Sequence, residues 1–482
     1  MTGEARRILV NTGYRVMADA AGKVASLVLY IVMARQLGAA EFGVFAFGLS
    51  FVTLVTALAN FGQDRILTRE VARDHGRVNA YFMNTIVLKL VLALPALVVA
   101  VAILTAFADT ETRDVVVLLG IAVVLEQLMA TCFATFQSYE RLAYIPAALV
   151  TQRVLTALWA IAAMLSGAGI VAVAAIYLGG AIVGLAIAMW CLLARVARPR
   201  LSVWPRMWRG LMLAAFPIGA AGIFMVVLAR ADMAILAALQ SAEDVGEYAA
   251  AYRLFEATLF LTWGVSAAVY PVFSRLSLTS TPSVHFVFER GLKLAVALTL
   301  PLAVGGAVLA GPLIDLLYGS EFEDSARALV LLSPAIALYP ISYLAGYLLV
   351  SQDRQRILLP VYACVAVANV LLNLVLIPAF SLYGAAIITS ISEAIVAVVL
   401  TMFAVRTVGR LDWLRMVGGP AVASLLAGIA MAVLASDLAI AIAAGALAYL
   451  GSLFVFERLV YPEDARAIQD LLPGRKVGGR VA

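Results

Sequence analysis

The sequence predicts an all-α polytopic membrane protein, and three observations carry that prediction. Apolar windows of the length needed to cross a bilayer recur from one end of the chain to the other. Hydrophobic residues make up 64% of the total, and charged residues only 13%, where a soluble chain carries about 25%. Mean hydropathy is +1.01. A hydrocarbon core about 30 Å thick needs about twenty helical residues at about 1.5 Å each. By that criterion the chain holds about fourteen spans, at 13–34, 42–62, 82–107, 115–138, 144–165, 168–194, 210–238, 247–273, 290–318, 327–350, 357–377, 383–405, 416–436 and 438–456.

The first span is the most informative. Arg15, Asp19 and Lys23 follow one another in steps of four, so they form one stripe of a helix. An ionised group at mid-membrane costs about 2.5–3.5 kcal/mol on insertion scales, so the stripe is expected to face other helices or a water-filled cavity. The polar, basic stretch before it shows no cleavage pattern and reads as the flank of a retained signal-anchor. Within later spans Pro95, Pro217, Pro301 and Pro334 are expected to kink helices rather than end them, because neighbouring helices can satisfy the freed backbone groups.

The loops alternate in charge. One set carries Arg6, Arg65, Arg69, Arg73, Arg77, Arg141, Arg195 to Arg209, Arg275, Arg354, Arg356 and Arg406 to Arg415. The other carries mainly acids: Glu41, Asp109, Glu111, Asp114, Glu243, Asp244, Glu321, Glu323, Asp324 and Asp437. By the positive-inside rule both termini are cytoplasmic and the number of spans is even, fourteen with twelve as the fallback. The net charge of +5 is therefore topological and does not indicate a nucleic-acid partner. Gln63 to Gly76 reads either as a short amphipathic helix at the inner interface or as a solvated loop.

Three cysteines in apolar runs and two isolated histidines give no metal-ligand spacing, and no cofactor is indicated. No loop exceeds about twenty residues, which leaves no room for the catalytic domain of a membrane glycosyltransferase or polymerase. No phosphate-binding Gly-Lys-Ser/Thr motif points to direct use of ATP.

A weak internal repeat relates Ala39-Ala40-Glu41-Phe42-Gly43-Val44-Phe45-Ala46 to Ala242-Glu243-Asp244-Val245-Gly246-Glu247-Tyr248-Ala249. A second pair joins Gln137–Arg141 with Gln352–Arg356. The first and seventh spans run in the same direction, so the halves are expected to be parallel repeats about an axis along the membrane normal. The domain plan that follows is a six-helix lobe over 1–209, a second six-helix lobe over 210–406, two additional helices over 407–457 and a cytoplasmic tail over 458–482.

Within the spans lie seven cations: Arg15, Lys23, Lys89, Arg153, Arg230, Arg253 and Lys293. Five acids accompany them: Asp19, Glu126, Asp232, Glu256 and Glu393. Lys293 and Arg15 stand near the cytoplasmic ends and are expected to snorkel, and Lys89, about 10 Å in, stands between the two cases. Arg230, Asp232, Arg253 and Glu256 fall at comparable depth; they read either as a structural ion-pair network or as a gate whose pairs exchange partners. If the cations face a cavity, its excess of positive charge suits an anionic substrate, with Arg offering bidentate hydrogen bonds to phosphate.

Four stretches carry a family resemblance: Ala34-Arg35-Gln36-Leu37-Gly38 through Ala46; Asp232 to Ala251; Leu317-Tyr318-Gly319 through Ala326; and Asn369 to Glu393, NVLLNLVLIPAFSLYGAAIITSISE. In their order and spacing the sequence resembles the polysaccharide flippases of the MOP (MATE-like) exporter superfamily. The resemblance implies a twelve-plus-two helix, two-lobed transporter of the bacterial inner membrane. Its substrate would be an undecaprenyl pyrophosphate-linked oligosaccharide, moved from the cytoplasmic to the outer leaflet by alternating access for surface polysaccharide biosynthesis. It also implies pyrophosphate-binding cations, assigned by kind and depth to Lys23, Arg153, Arg230 and Arg253, with Lys89 and Arg15 as further candidates. Gating or ion-coupling acids are sought among Asp19, Asp232, Glu256, Glu393 and Glu126. Implied partners are the lipid-linked substrate, membrane lipid, a coupling H+ or Na+ and polymerase or export machinery. A MATE-type drug/cation antiporter and a peptidoglycan-precursor flippase are the alternatives within the superfamily.

Overall fold

The computed structural model describes the backbone over residues 3–276 and 281–461, and side chains from residue 21 onward except at 218, 267, 271 and 281. The side chains of Arg15 and Asp19 and the expected tail after 461 lie outside the described residues. All regular structure among the described residues is helical. The α-helices, in order, are α1 (Gly3–Thr56), α2 (Gln63–Arg73), α3 (Val78–Leu104), α4 (Thr110–Ser138), α5 (Tyr144–Leu165), α6 (Ile170–Cys191) and α7 (Pro205–Leu239). They continue with α8 (Ala242–Leu276), α9 (Thr281–Val308), α10 (Ala310–Leu317), α11 (Glu323–Ser351), α12 (Leu358–Val408), α13 (Gly419–Val433) and α14 (Leu438–Val460).

Twelve helices among the described residues are long and apolar enough to cross a membrane. Two of them, α1 and α12, run for 54 and 51 residues, about 80 Å if straight against a hydrocarbon core of about 30 Å. Each is broken near its middle. Gly38 interrupts α1 with φ 79 and ψ 177, and Ser381 interrupts α12 with φ 46 and ψ −133. Pro95, Pro217, Pro301 and Pro334 all lie inside helices, as expected. Of the 63–76 stretch, Gln63–Arg73 forms the helix α2, which buries Ile66, Leu67 and Val71 and leaves its basic residues outward.

The chain divides into two compact units. The first comprises residues 1–257, 317–328 and 356–392; the second comprises 258–316, 329–355 and 393–482. In the first, Leu67, Phe82, Met129, Cys132, Phe136 and Ala148 form a buried cluster shared by α2 to α5. In the second, α13 and α14 join α9 through Leu309, Ala423, Ala427, Met431 and Tyr449. Large apolar side chains such as Val98, Trp159 and Trp190 are more than half exposed. In lipid that exposure carries no penalty, so close packing and hydrogen bonds hold the helices together.

The repeat is visible in local conformation as well as in sequence. Helix α4 ends with Glu140 at φ 57, and α11 ends with Asp353 at φ 58. At each end the next residue's N–H reaches back five positions, Arg141 to the Phe136 carbonyl at 2.8 Å and Arg354 to the Leu349 carbonyl at 2.9 Å. This is the same helix-terminating hydrogen-bond pattern. It pairs Glu140 with Asp353, two residues away from the pairing the glutamines suggest.

Candidate functional site

The resemblance-bearing stretches meet at one junction in the first unit. The segments that the repeat relates touch each other reciprocally there. A Cβ on Gly43 would lie 1.9 Å from the Ala242 carbonyl oxygen, and a Cβ on Gly246 would lie 1.9 Å from the Ala39 carbonyl oxygen. The spacing from Ala39 to Ala242 equals that from Gly43 to Gly246, so the contact has the self-complementary form of a two-fold seam. Neither position can accept a side chain without moving main chain.

Polar groups fix the segments around this seam. Ser241 and Asp244 close a capping box at the start of α8, with Ser241 Oγ donating to Asp244 Oδ2 at 2.7 Å and the Asp244 N–H donating to Ser241 Oγ at 3.1 Å. Glu41 Oε2 accepts the Ile170 N–H, the first of α6, at 3.1 Å. Phe42 meets the ring of Phe322 at 6.4 Å, Ser325 Oγ donates to the Glu247 carbonyl at 2.8 Å, and Tyr383 OH donates to Asp324 Oδ1 at 2.7 Å.

Two turns further along α8 lies a charged group. Glu256 takes Arg253 Nη1 on Oε2 at 2.5 Å and Arg230 Nη2 from α7 on Oε1 at 2.9 Å. One carboxylate thus holds two guanidiniums, as the comparable depths of α7 and α8 predict, and leaves one positive charge over. Arg230 Nη1 and Arg253 Nε are buried and have no hydrogen-bond partner among the described residues. The Arg253 guanidinium lies 4.2 Å from the centre of the Tyr30 ring, a cation–π contact with α1. Tyr30 stands seven residues after Lys23, so the stripe on α1 extends to it.

Asp232 does not join this group. It is 1% exposed, accepts Tyr248 OH at 2.5 Å and Thr389 Oγ1 at 3.3 Å on Oδ2, and accepts the Met233 N–H at 2.8 Å on Oδ1. Glu126 is likewise held by neutral donors, Gln152 Nε2 at 2.6 Å and Tyr177 OH at 3.3 Å. In the second unit Ser342 Oγ donates to Glu393 Oε1. Arg153 lies along α1, its Cδ 3.0 Å from the place a Cβ on Gly22 would occupy, and Lys23 is partly buried.

Two lysines differ from their expected settings. Lys89 is 1% exposed, and its ammonium donates to Asp64 Oδ2 at 2.7 Å, the Gln127 carbonyl at 2.8 Å and Thr131 Oγ1 at 2.9 Å. All three of its N–H groups are used, so it neither snorkels nor has a donor to offer. Lys293 does not snorkel either: it pairs with Glu457 Oε2 of α14 at 2.6 Å, where Glu457 is 4% exposed. The sequence reading missed Asp64, Tyr248, Thr389 and Glu457 as partners. Of these only Asp64 had a signal, an acid at the start of an amphipathic helix.

Comparison with known proteins defines the class first. The chain matches a structure of the lipid II flippase MurJ in an inward closed conformation with a TM-score of 0.78 at 14% identity, covering 92% of this chain and 98% of that one. It matches an inward-facing multidrug resistance MATE transporter of the MOP superfamily with a TM-score of 0.60 at 15% identity, covering 80% and 94%. The fold is therefore MATE-like, with many helices apolar and long enough to cross a membrane. Residues 8–277 match the family model described as polysaccharide biosynthesis protein, and the chain belongs to that family. A second model, MatE, matches residues 217–375. Two Haloferax volcanii proteins are similar in sequence. "Probable low-salt glycan biosynthesis flippase Agl15" is 24% identical over 34% of this chain and 35% of its own length; "Probable flippase AglR" is 27% identical over 40% and 41%. The matched region thus spans well under half the length of either relative.

Proposed function

We propose that this protein is a flippase that carries an undecaprenyl pyrophosphate-linked oligosaccharide from the cytoplasmic to the outer leaflet of the bacterial inner membrane, for surface polysaccharide biosynthesis. The observation that carries the reading is the arginine pair on Glu256: two guanidiniums, one carboxylate and two buried N–H groups left over. A phosphate offers several acceptor oxygens and favours Arg for bidentate contact. Lipid-linked pyrophosphate is the anion that the family and its glycan flippase relatives make most apt. Arg230 and Arg253 take the pyrophosphate, with Lys23, Arg153 and Arg15 as further cations of the path. Lys89 serves structure instead.

Glu256 is the gating acid in this reading. It holds the arginines until phosphate oxygens replace it, and the pairs then exchange partners. Asp232, Glu126 and Glu393 are held by hydroxyl and amide donors, a setting that accommodates a carboxyl bound to H+ or Na+; with Asp19 they are the coupling groups. In this reading α1 and α12 each cross twice, for fourteen spans, and both termini are cytoplasmic by the positive-inside rule. The halves 1–209 and 210–406 then move about the glycine seam, while 407–457 adds two helices to the second half.

Reconstitution into vesicles tests this reading. Transfer of a polyprenyl pyrophosphate-linked oligosaccharide between leaflets is expected for the parent protein and is expected to be lost in Arg230→Gln and Arg253→Gln at unchanged protein level. Transport of cationic drugs with no lipid transfer is the result that assigns the antiporter role instead.

A further inference from the structure

In the second unit, five aromatic side chains of α8 and α11 form a connected row. Tyr339, Tyr343 and Tyr347 recur every four residues along α11 and share one face. The Tyr339 and Tyr343 rings stack at 5.3 Å and 22°; Tyr343 and Tyr347 follow at 4.9 Å, their hydroxyls 3.3 Å apart. Helix α8 supplies the other two members. Trp263 Nε1 donates to Tyr339 OH at 3.3 Å, and Tyr270 meets Tyr347 edge-on at 5.1 Å.

The row is open to its surroundings. Trp263 is 39% exposed, and the three α11 tyrosines and Tyr270 are partly exposed. Beside Trp263, a Cβ on Gly264 would have nothing within 4 Å. An aromatic belt at a membrane interface occupies a single depth. This row instead climbs about 12 Å along α11, with polar tips hydrogen-bonded at two of its steps, Trp263 to Tyr339 and Tyr343 to Tyr347. Ring carbons alternate with hydroxyls, and no member carries a charge. That surface matches a carbohydrate chain, whose sugar rings present an apolar C–H face and hydroxyl edges at intervals close to one helical turn.

We propose that Trp263, Tyr339, Tyr343 and Tyr347, supported by Tyr270, form a binding strip for the oligosaccharide part of the substrate. This deepens the flippase reading and rests on it. The strip holds uncharged sugar rings by C–H/π contact and hydroxyl exchange.

Saturation-transfer difference NMR on the full chain in nanodiscs tests the strip, with soluble maltopentaose as the sugar probe and geranyl pyrophosphate as the sugar-free probe. Transfer from aromatic protons to maltopentaose is expected, and its affinity should fall about tenfold for each ring removed, in Trp263→Ala and Tyr343→Ala. Geranyl pyrophosphate should bind these variants as it binds the parent, while Arg253→Gln should show the reverse pattern. Trp263→Phe and Tyr343→Phe keep a ring in place and should retain most sugar binding. Absence of transfer to maltopentaose, unchanged affinity in the alanine variants, or equal loss in the phenylalanine variants overturns the strip. Loss of geranyl pyrophosphate binding by the parent itself is a failure of the flippase reading, and is seen in the other probe.

Discussion

Two charged clusters in the first unit look alike in composition and differ in their hydrogen bonding. Around Lys89, every donor has an acceptor: three bonds leave the ammonium, and Thr131 Oγ1 donates in turn to Asp64 Oδ1 at 3.0 Å. Around Glu256, two guanidiniums share one carboxylate and two buried N–H groups have no acceptor among the described residues. A buried ion whose donors are all used is a joint between helices. A buried donor without a partner is a standing cost, and two of them beside an excess positive charge are what the proposed anion site rests on. Two buried cation groups of like composition thus differ in their count of unused donors, and that count is the ground on which a binding role is proposed for one and a structural role for the other.

The largest expected effect breaks the first cluster. Lys89→Met leaves Asp64 charged and unpaired among buried groups, which costs about 3–5 kcal/mol. Membrane-inserted protein should therefore be sharply depleted on immunoblots, and Asp64→Leu in the same chain should restore most of it. Arg253→Gln is the contrast: Glu256 keeps its bond to Arg230, so protein level should hold while lipid transfer falls at least about tenfold. If abundance falls in Arg253→Gln as it does in Lys89→Met, the two clusters are of one kind and the distinction fails.

Next in size is the seam. Gly43→Ala and Gly246→Ala should each prevent the close approach of main chain and reduce transfer. The double variant should be no worse than either single, because both damage one contact; additive losses measured in the same vesicles count against a shared seam. The smallest effect concerns Lys293→Gln, which leaves Glu457 buried with an amide for a partner and should cost about 1–3 kcal/mol, read as a lowered melting temperature with transfer intact.

Much of this was legible in the sequence, for reasons that can be named. Helix period and span length place Arg230, Arg253 and Glu256 at one depth, and all three meet. The repeat at Gly43 and Gly246 was readable because the same backbone constraint acts on both copies. Partners contributed by distant elements were not readable. Asp232 turns to Tyr248 and Thr389 instead of Arg230, because hydroxyls on neighbouring helices reach it, and nothing in a linear pattern ranks a hydroxyl above a guanidinium. Lys293 looked free to reach the headgroups only because Glu457, which meets it, stands 164 positions away. The offset of two residues in the second pair has a similar origin: the glutamines match as residue types, whereas the shared left-handed turns at Glu140 and Asp353 match as backbone conformation.

The reciprocal contact of Gly43 and Gly246 also bears on which substitutions the chain can accept. Two similar segments are free to differ wherever each faces its own surroundings, and little likeness remains between these two. Where each copy is the mould for the other, a bulkier residue in either is rejected by its twin, and no change elsewhere in the same copy can make room. At this one place neither segment can take a side chain that the other has not made room for.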